Sequence, residues 1–258
     1  MSKRLTPTIM HFDSLPSTNT EAARQAALGA PEGLCVVARE QTAGRGRRER
    51  RWVSPKDAGL YLSVVLRPTL EARLWPLITL AAALAVRDAL GEACGLAADI
   101  KWPNDLLAGG KKLCGILAET ADGARGRAVV LGVGVNLRRG SFPEEIKDTA
   151  TSVEEQTGRA HDAEKLLAAL TRALAARYET LHAPDGAEEI LRDWRRNSSY
   201  AHGRRVRVAL AEETFEGVTR GLDPDGALRV ETDIGTNRIV RAGDVTAVRE
   251  VINDEREN

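Results

Sequence analysis

Aromatic side chains are scarce in this chain, at 4% of its 258 residues. So few flat rings leave no stacking series of the kind that holds single-stranded nucleic acid. Net charge is missing too, since 37 Lys and Arg face 37 Asp and Glu. A neutral chain does not grip polyanions or anionic lipid with its whole surface, although a local basic patch stays open to it. Only three cysteines occur, Cys35, Cys94 and Cys114, so they cannot all pair. They read as buried, reduced thiols of a cytoplasmic protein. The four histidines, His11, His161, His182 and His202, are scattered and match no metal-ligand spacing. No continuous apolar run approaches the ~18 residues of a membrane span. The opening MSKRLTPTIMHF lacks the apolar segment of a secretory signal. No phosphate-binding G-x-x-x-x-G-K-[ST] appears anywhere. What is present is a 43% apolar share, enough for a sizeable core, in a length that allows one large domain or one large plus one small.

Along the chain, Thr8 to Asp13 alternates as a strand. Thr18 and Glu21 have capping-box spacing before an Ala-rich helix that Gly29 stops. The apolar runs Leu34–Glu40 and Leu60–Arg67 read as strands. A long helix spans roughly 74–90, with Pro76 early and Gly91 as its end. Asp99 to Trp102 is a short strand, Gly109-Gly110 turns a hairpin, and Ala128 to Leu137 is a further strand. Helical periodicity covers 162–181 and 187–196. Five short strands follow residue 200 and read as a small barrel of about 55 residues. The boundary falls near 199–203.

Three features invite chemistry. Residues 44–52, GRGRRERRW, hold five arginines, two glycines and one glutamate. Alone, such a loop is expected to be poorly ordered, and to fold around phosphate oxygens that guanidinium forks match. A solvated turn, a nucleic-acid patch and a nucleotide clamp all remain open for it; Trp52 at its end offers a flat face or a core anchor. Lys101, ahead of Trp102-Pro103-Asn104-Asp105, ends an apolar strand. Its ammonium either sits at a strand edge or stabilises charge that develops in acyl or phosphoryl transfer. Gly115, Gly132 and Gly134 thin two strands, as tight packing or a ligand floor requires. Asn136 ends the second of these with an amide able to read a base edge. Ser17, Thr18 and Asn19 are either helix caps or polar contacts for a small ring.

Taken in order, Ser17-Thr18-Asn19, the stretch Gln41-Thr42-Ala43-Gly44-Arg45-Gly46-Arg47-Arg48, Lys101-Trp102-Pro103-Asn104-Asp105, Lys112-Leu113-Cys114-Gly115-Ile116-Leu117 and Gly132-Val133-Gly134-Val135-Asn136 resemble the motif series of biotin–protein ligases. The resemblance implies an α+β fold, with a mixed β-sheet flanked by helices, related to class II aminoacyl-tRNA synthetases, over 1–200. An SH3-like β-barrel is implied over 201–258. It implies that biotin and MgATP give biotinyl-5′-AMP and pyrophosphate. Biotin then passes to a lysine of the biotin carboxyl carrier protein of acetyl-CoA carboxylase or a related carboxylase. By motif, Ser17, Thr18, Asn19 and Gln41 hold biotin, with Gly115 and Gly134 beside it. Arg45, Gly46 and Arg47 close over the ligand and its phosphate. Lys101 meets the carboxylate and α-phosphate, and with Arg47 it is the catalytic pair. Arg45, Trp52 and Asn136 fall to the nucleotide. Metal ligands are not assigned.

Two departures stand out. The first motif begins at residue 17, which leaves no room for the DNA-binding domain of repressor-type members, so neither DNA nor membrane is an expected partner. Glu49 also stands where the family loop commonly has glycine. A homodimer through sheet edges is compatible with the implied fold. A lipoate–protein ligase of the same chemistry is the nearest rival, and a nucleic-acid binding module the rival from another class.

Overall fold

A computed structural model describes residues 5–140, 142–241 and 243–247. Strand β1 (Thr8–Leu15), helix α1 (Thr18–Ala27) and strand β2 (Leu34–Gln41) form a crossover that leaves β1 and β2 parallel. β3 (Gly59–Leu66) leads to the long helix α2 (Pro76–Cys94). β4 (Asp99–Lys101), β5 (Asp105–Ala108), β6 (Lys111–Ala121) and β7 (Ala128–Asn136) complete a seven-stranded sheet of order β1-β2-β3-β7-β6-β5-β4. After the short α3 (Val153–Thr157), helices α4 (Ala163–His182) and α5 (Gly186–Arg196) follow. The chain ends its described part in β8 (His202–Ala209), β9 (Thr214–Leu222), β10 (Leu228–Thr232), β11 (Asn237–Val240) and β12 (Asp244–Ala247). These five are antiparallel, in the order β11-β10-β9-β8-β12. The expected mixed sheet with flanking helices and the five-strand unit behind it are both present. The last of the five expected strands runs past residue 247, outside the described residues.

Alternation along the central strands decides which side chains meet. Leu60, Leu62, Val64 and Leu66 of β3 join Val129, Leu131, Val133 and Val135 of β7 in the large core under α2, α4 and α5. Their neighbours face the other way, toward α1, where Val65 and Val130 pack on Ala22 and Ala26. The same period of two puts Ser63, Gly132, Gly134 and Asn136 on the α1 face. Burial on both faces explains why β3 and β7 read as unbroken apolar runs. The large core continues through Leu222, Leu228 and Val230 into the second sheet, so the two units share apolar packing. Trp102 Nε1 donates to Gly226 O across that junction at 3.0 Å.

Two local expectations are corrected, and a third is qualified. Gly91 does not stop α2, which runs on to Cys94 and ends at Gly95 in the left-handed region, φ 66°. A stop needs that conformation, and Gly95 rather than Gly91 adopts it. The cap of α1 is Ser17, not Thr18, because Thr18 N–H and Oγ1 both go to Gln41 Oε1 at 2.8 and 3.1 Å. Glu21 instead pairs with Arg24 at 2.6 Å. Finally, α2 with the turn before it is long and apolar enough by composition to cross a membrane, although no unbroken run is. Its Leu77, Ile78, Leu84 and Leu90 are buried in the core.

Candidate active site

Glycines on two strands of the sheet, β6 and β7, open gaps in its floor. Gly134 pairs with Gly115 on β6 and with Tyr61 on β3; Gly132 pairs with Leu117 and Ser63. Into these gaps the chain sends two of its own groups. A methyl at Gly132 would run into Asn19 Oδ1, and one at Gly134 would lie 2.5 Å from Trp52 Nε1. At Gly115 a methyl would meet Trp52 at 3.1 Å and Lys112 at 3.3 Å. The glycines therefore admit Asn19 and Trp52, which become parts of a pocket wall.

Above this floor, a polar network fixes the start of α1. Ser63 Oγ donates to Asn19 Oδ1 at 2.6 Å and lies 2.8 Å from Thr18 Oγ1. Asn19 Nδ2 donates to Glu119 Oε2 at 2.8 Å, and Gln41 Nε2 to Ser54 Oγ at 2.8 Å. Each buried polar atom named here has a partner, so the amides and hydroxyls are held in place before a ligand arrives.

The arginine stretch, expected to be loose, is a folded hairpin. Trp52 N–H donates to Gly44 O at 2.9 Å and Gly46 N–H to Arg50 O at 2.7 Å. Its charges are matched by neighbours: Arg45 by Glu119 at 2.7 Å, Arg48 by Asp244 at 3.4 Å, and Arg50 also by Asp244. Arg47 Nη1 donates to Asn104 Oδ1 at 3.0 Å. Burial lowers the pKa of the Arg47 guanidinium, which Asp244 opposes; it stays a cation all the same. Arg48 and Glu49 at the tip have φ of 53° and 59°. Glycine takes that conformation freely, and a β-branched residue does not. Glu49→Gly is expected to keep the hairpin. Glu49→Val is expected to open it, with trypsin cleavage between residues 45 and 51 about 10-fold faster. Equal cleavage of the two variants would disprove this.

One pocket of about 130 Å³ gathers Ser17, Thr18, Asn19, Gln41, Arg45, Gly46, Arg47, Trp52, Gly115 and Gly134. Asn136 does not line it. That residue borders a second pocket of about 160 Å³ with Trp52, Val53, Phe142 and Ile146. Its amide donates to Thr151 O at 3.0 Å. Trp52 is the wall between the two. Lys101 lines neither pocket. It sits opposite Asp105 in the β4–β5 register, and burial lowers its pKa, with Asp105 opposing. Asp105 and Lys112, which the motif series includes without a role, line this pocket as well, and Ser63, Glu119 and Asp244 enter the site unmarked by any motif. A lone serine in the apolar run LYLSVVL was the available signal for Ser63; nothing local marks Asp244.

Comparison with known proteins bears on this geometry. A profile described as Biotin/lipoate A/B protein ligase family matches residues 11–136, and one described as Biotin protein ligase C terminal domain matches 201–246. A biotin--[acetyl-CoA-carboxylase] ligase of Paracoccus denitrificans is 39% identical over 236 residues, 89% of this chain and 96% of its own. The bifunctional ligase/repressor BirA of Bacillus subtilis is 38% identical over 239 residues, 91% of this chain and 72% of its own. The Aquifex aeolicus biotin protein ligase solved with biotin and ATP superposes with a TM-score of 0.81 at 28% identity, covering 94% of this chain and 99% of that one. The C-terminal match and the names of these relatives favour biotin over lipoate. Two profiles in sequence order, near-full-length identity and a shared fold agree: the chain belongs to the biotin protein ligase family.

Proposed function

We propose that this chain is the ligase that activates biotin with MgATP to biotinyl-5′-AMP, releases pyrophosphate, and transfers biotin to a lysine of a biotin carboxyl carrier protein. The observation that carries the reading is the pair of pockets meeting at Trp52. One has a fixed polar wall and arginines; the other is apolar with an amide at its edge. An acyl adenylate has that division, a polar ring and carboxylate on one side and a purine on the other.

The chemistry brings two anions together, so positive charge fixed in advance is the main requirement. Arg45 and Arg47 stand over the ring pocket, and Lys101 lies beside its rim. A thiol intermediate has no support: burial pushes the Cys35 thiol up to about 12 and raises those of Cys94 and Cys114. Such thiols are inert near neutral pH. Among the described residues no group of three or more His, Cys, Asp or Glu gathers. Magnesium would come in on the phosphate oxygens of ATP and would supply charge that offsets the departing pyrophosphate. Covering the adenylate keeps water from hydrolysing it, and the hairpin over the pocket is placed to do so.

The acceptor is the carrier domain of acetyl-CoA carboxylase or a related biotin-dependent carboxylase, and DNA is not a partner in this reading. Three unpaired cysteines fit a cytoplasmic location. An edge-paired homodimer is compatible with β1 and β4 ending the sheet. Incubation with biotin, MgATP and a carrier domain is expected to add one biotinyl mass to the carrier, and none when either small molecule is left out. A carrier of unchanged mass in the full mixture overturns the reading.

A further inference from the structure

One carboxylate joins the fixed wall of the ring pocket to the arginine hairpin above it. Glu119 lies on β6 opposite Val130 of β7, two positions beyond Leu117, so its side chain turns to the α1 face with Gly115 and Gly132. β5 pairs with β6 only as far as Gly115, which leaves the hairpin room to reach Glu119. Half-buried there, its Oε2 accepts from Asn19 Nδ2 at 2.8 Å and from Arg45 Nη2 at 2.7 Å. Asn19 Oδ1 in turn accepts from Ser63 Oγ at 2.6 Å, and Ser63 is fully buried on β3. A chain of hydrogen bonds thus runs from the middle of the sheet through Asn19 and Glu119 to Arg45. That arginine bridges to Arg51 near the base of the hairpin. Asn19 and Arg45 both line the ring pocket, and Glu119 stands behind them.

We propose that Glu119 is a positioning residue of the ligase, a strap that holds Arg45 over the ring pocket and keeps the hairpin closed on the adenylate. The inference rests on the ligase reading above. The two ends of the strap differ in chemistry. Asn19 is a neutral donor, which an amide oxygen would satisfy as well as a carboxylate. Arg45 is a cation, and its bond to Glu119 is charge-assisted, so an amide there would be a weaker partner. A guanidinium has five N–H donors, and Glu119 occupies one of those on Arg45. The others remain for a phosphate oxygen, so the strap stays in place when the adenylate forms. Arg48 and Arg50 are held by Asp244 of the second sheet. Glu119 and Asp244 therefore secure the hairpin from opposite sides.

The test is the rate at which pre-formed adenylate is lost from the enzyme, beside biotin affinity measured calorimetrically without nucleotide. Glu119→Gln keeps an oxygen for Asn19 and removes the charge that Arg45 meets. It is expected to speed adenylate loss about three- to tenfold, as removal of one partly exposed charge-assisted hydrogen bond does. Biotin affinity is expected to stay within about twofold. Trypsin cleavage between residues 45 and 51 of the free protein is expected to quicken by a similar three- to tenfold, about that of the adenylate loss. Glu119→Leu, which also frees the Asn19 amide, is expected to weaken biotin binding as well. Arg45→Gln removes the strap from its other end, so adding Glu119→Gln to it is expected to change adenylate loss no further. Wild-type retention of adenylate in Glu119→Gln overturns the proposal, and so does an undiminished effect of Glu119→Gln in the Arg45→Gln background. Biotin affinity that falls in step with retention overturns it too, because Glu119 would then only shape the wall. A wild-type protein that forms no adenylate from biotin and ATP sinks the ligase reading instead, while the trypsin contrast still reads the strap.

Discussion

Lys101→Met is expected to lower biotin-dependent ATP–pyrophosphate exchange by about 100- to 1,000-fold while the protein stays folded. Lys101 ends β4, and its ammonium feels Asp105, Lys112, Asp244 and Arg50, all of which line the ring pocket. It therefore stands within the field of the site, half-buried, where a charge acts more strongly than in bulk water. Burial is the largest influence on it and lowers its pKa, with Asp105 pulling the other way. The stability consequence has a definite sign. Between the folded pKa and the ordinary lysine value, the unfolded chain binds more protons than the folded one. Stability contributed by this group therefore rises with pH through that window, and the buried charge costs stability below it. Lys101→Met removes that cost, so its melting temperature at neutral pH is expected to equal or exceed wild type. Adenylation in the wild-type enzyme is expected to decline, as pH rises, earlier than an ordinary lysine would cause. Undiminished exchange in Lys101→Met, or a large loss of stability, would remove the assignment.

Gly134→Ala is expected to weaken biotin binding by about 100-fold. The added methyl would lie 2.5 Å from Trp52 Nε1 and 2.6 Å from Cε2, closer than packed side chains come. The indole has to leave its seat on the floor, and overpacking of this kind costs about 1–3 kcal/mol. Because Trp52 walls both pockets, affinity for nucleotide is expected to fall as well. Gly91→Ala is the control. A methyl there meets nothing within 4 Å, and alanine favours the helix by about 1 kcal/mol. Calorimetric titration of both variants with biotin checks the contrast. Wild-type affinity in Gly134→Ala would show that Trp52 moves aside without cost, and the glycine floor would lose its explanation.

Much of the site is legible in sequence because its parts carry local demands. A strand that thins to Gly132 and Gly134 inside an apolar run announces that something approaches its backbone. Ser17-Thr18-Asn19 before an Ala-rich helix announces a polar helix start, although its position was one residue off. The capping reading failed because a distant glutamine captured the Thr18 amide, and the Gly91 stop failed because packing carried α2 another turn. The arginine hairpin was read as loose because its partner carboxylates, Glu119 and Asp244, lie 74 and up to 196 positions away.

By itself the sequence determined the order of elements and the residue types offered to a ligand. Those follow from periodicity and from backbone requirements that act over a few residues. The tertiary structure alone decided that Trp52 divides one cleft into two, that Glu119 meets both Asn19 and Arg45, and that Asp244 reaches the hairpin from the second sheet. Each depends on which strands become neighbours, and sheet register joins residues whose separation along the chain leaves no trace in any local pattern.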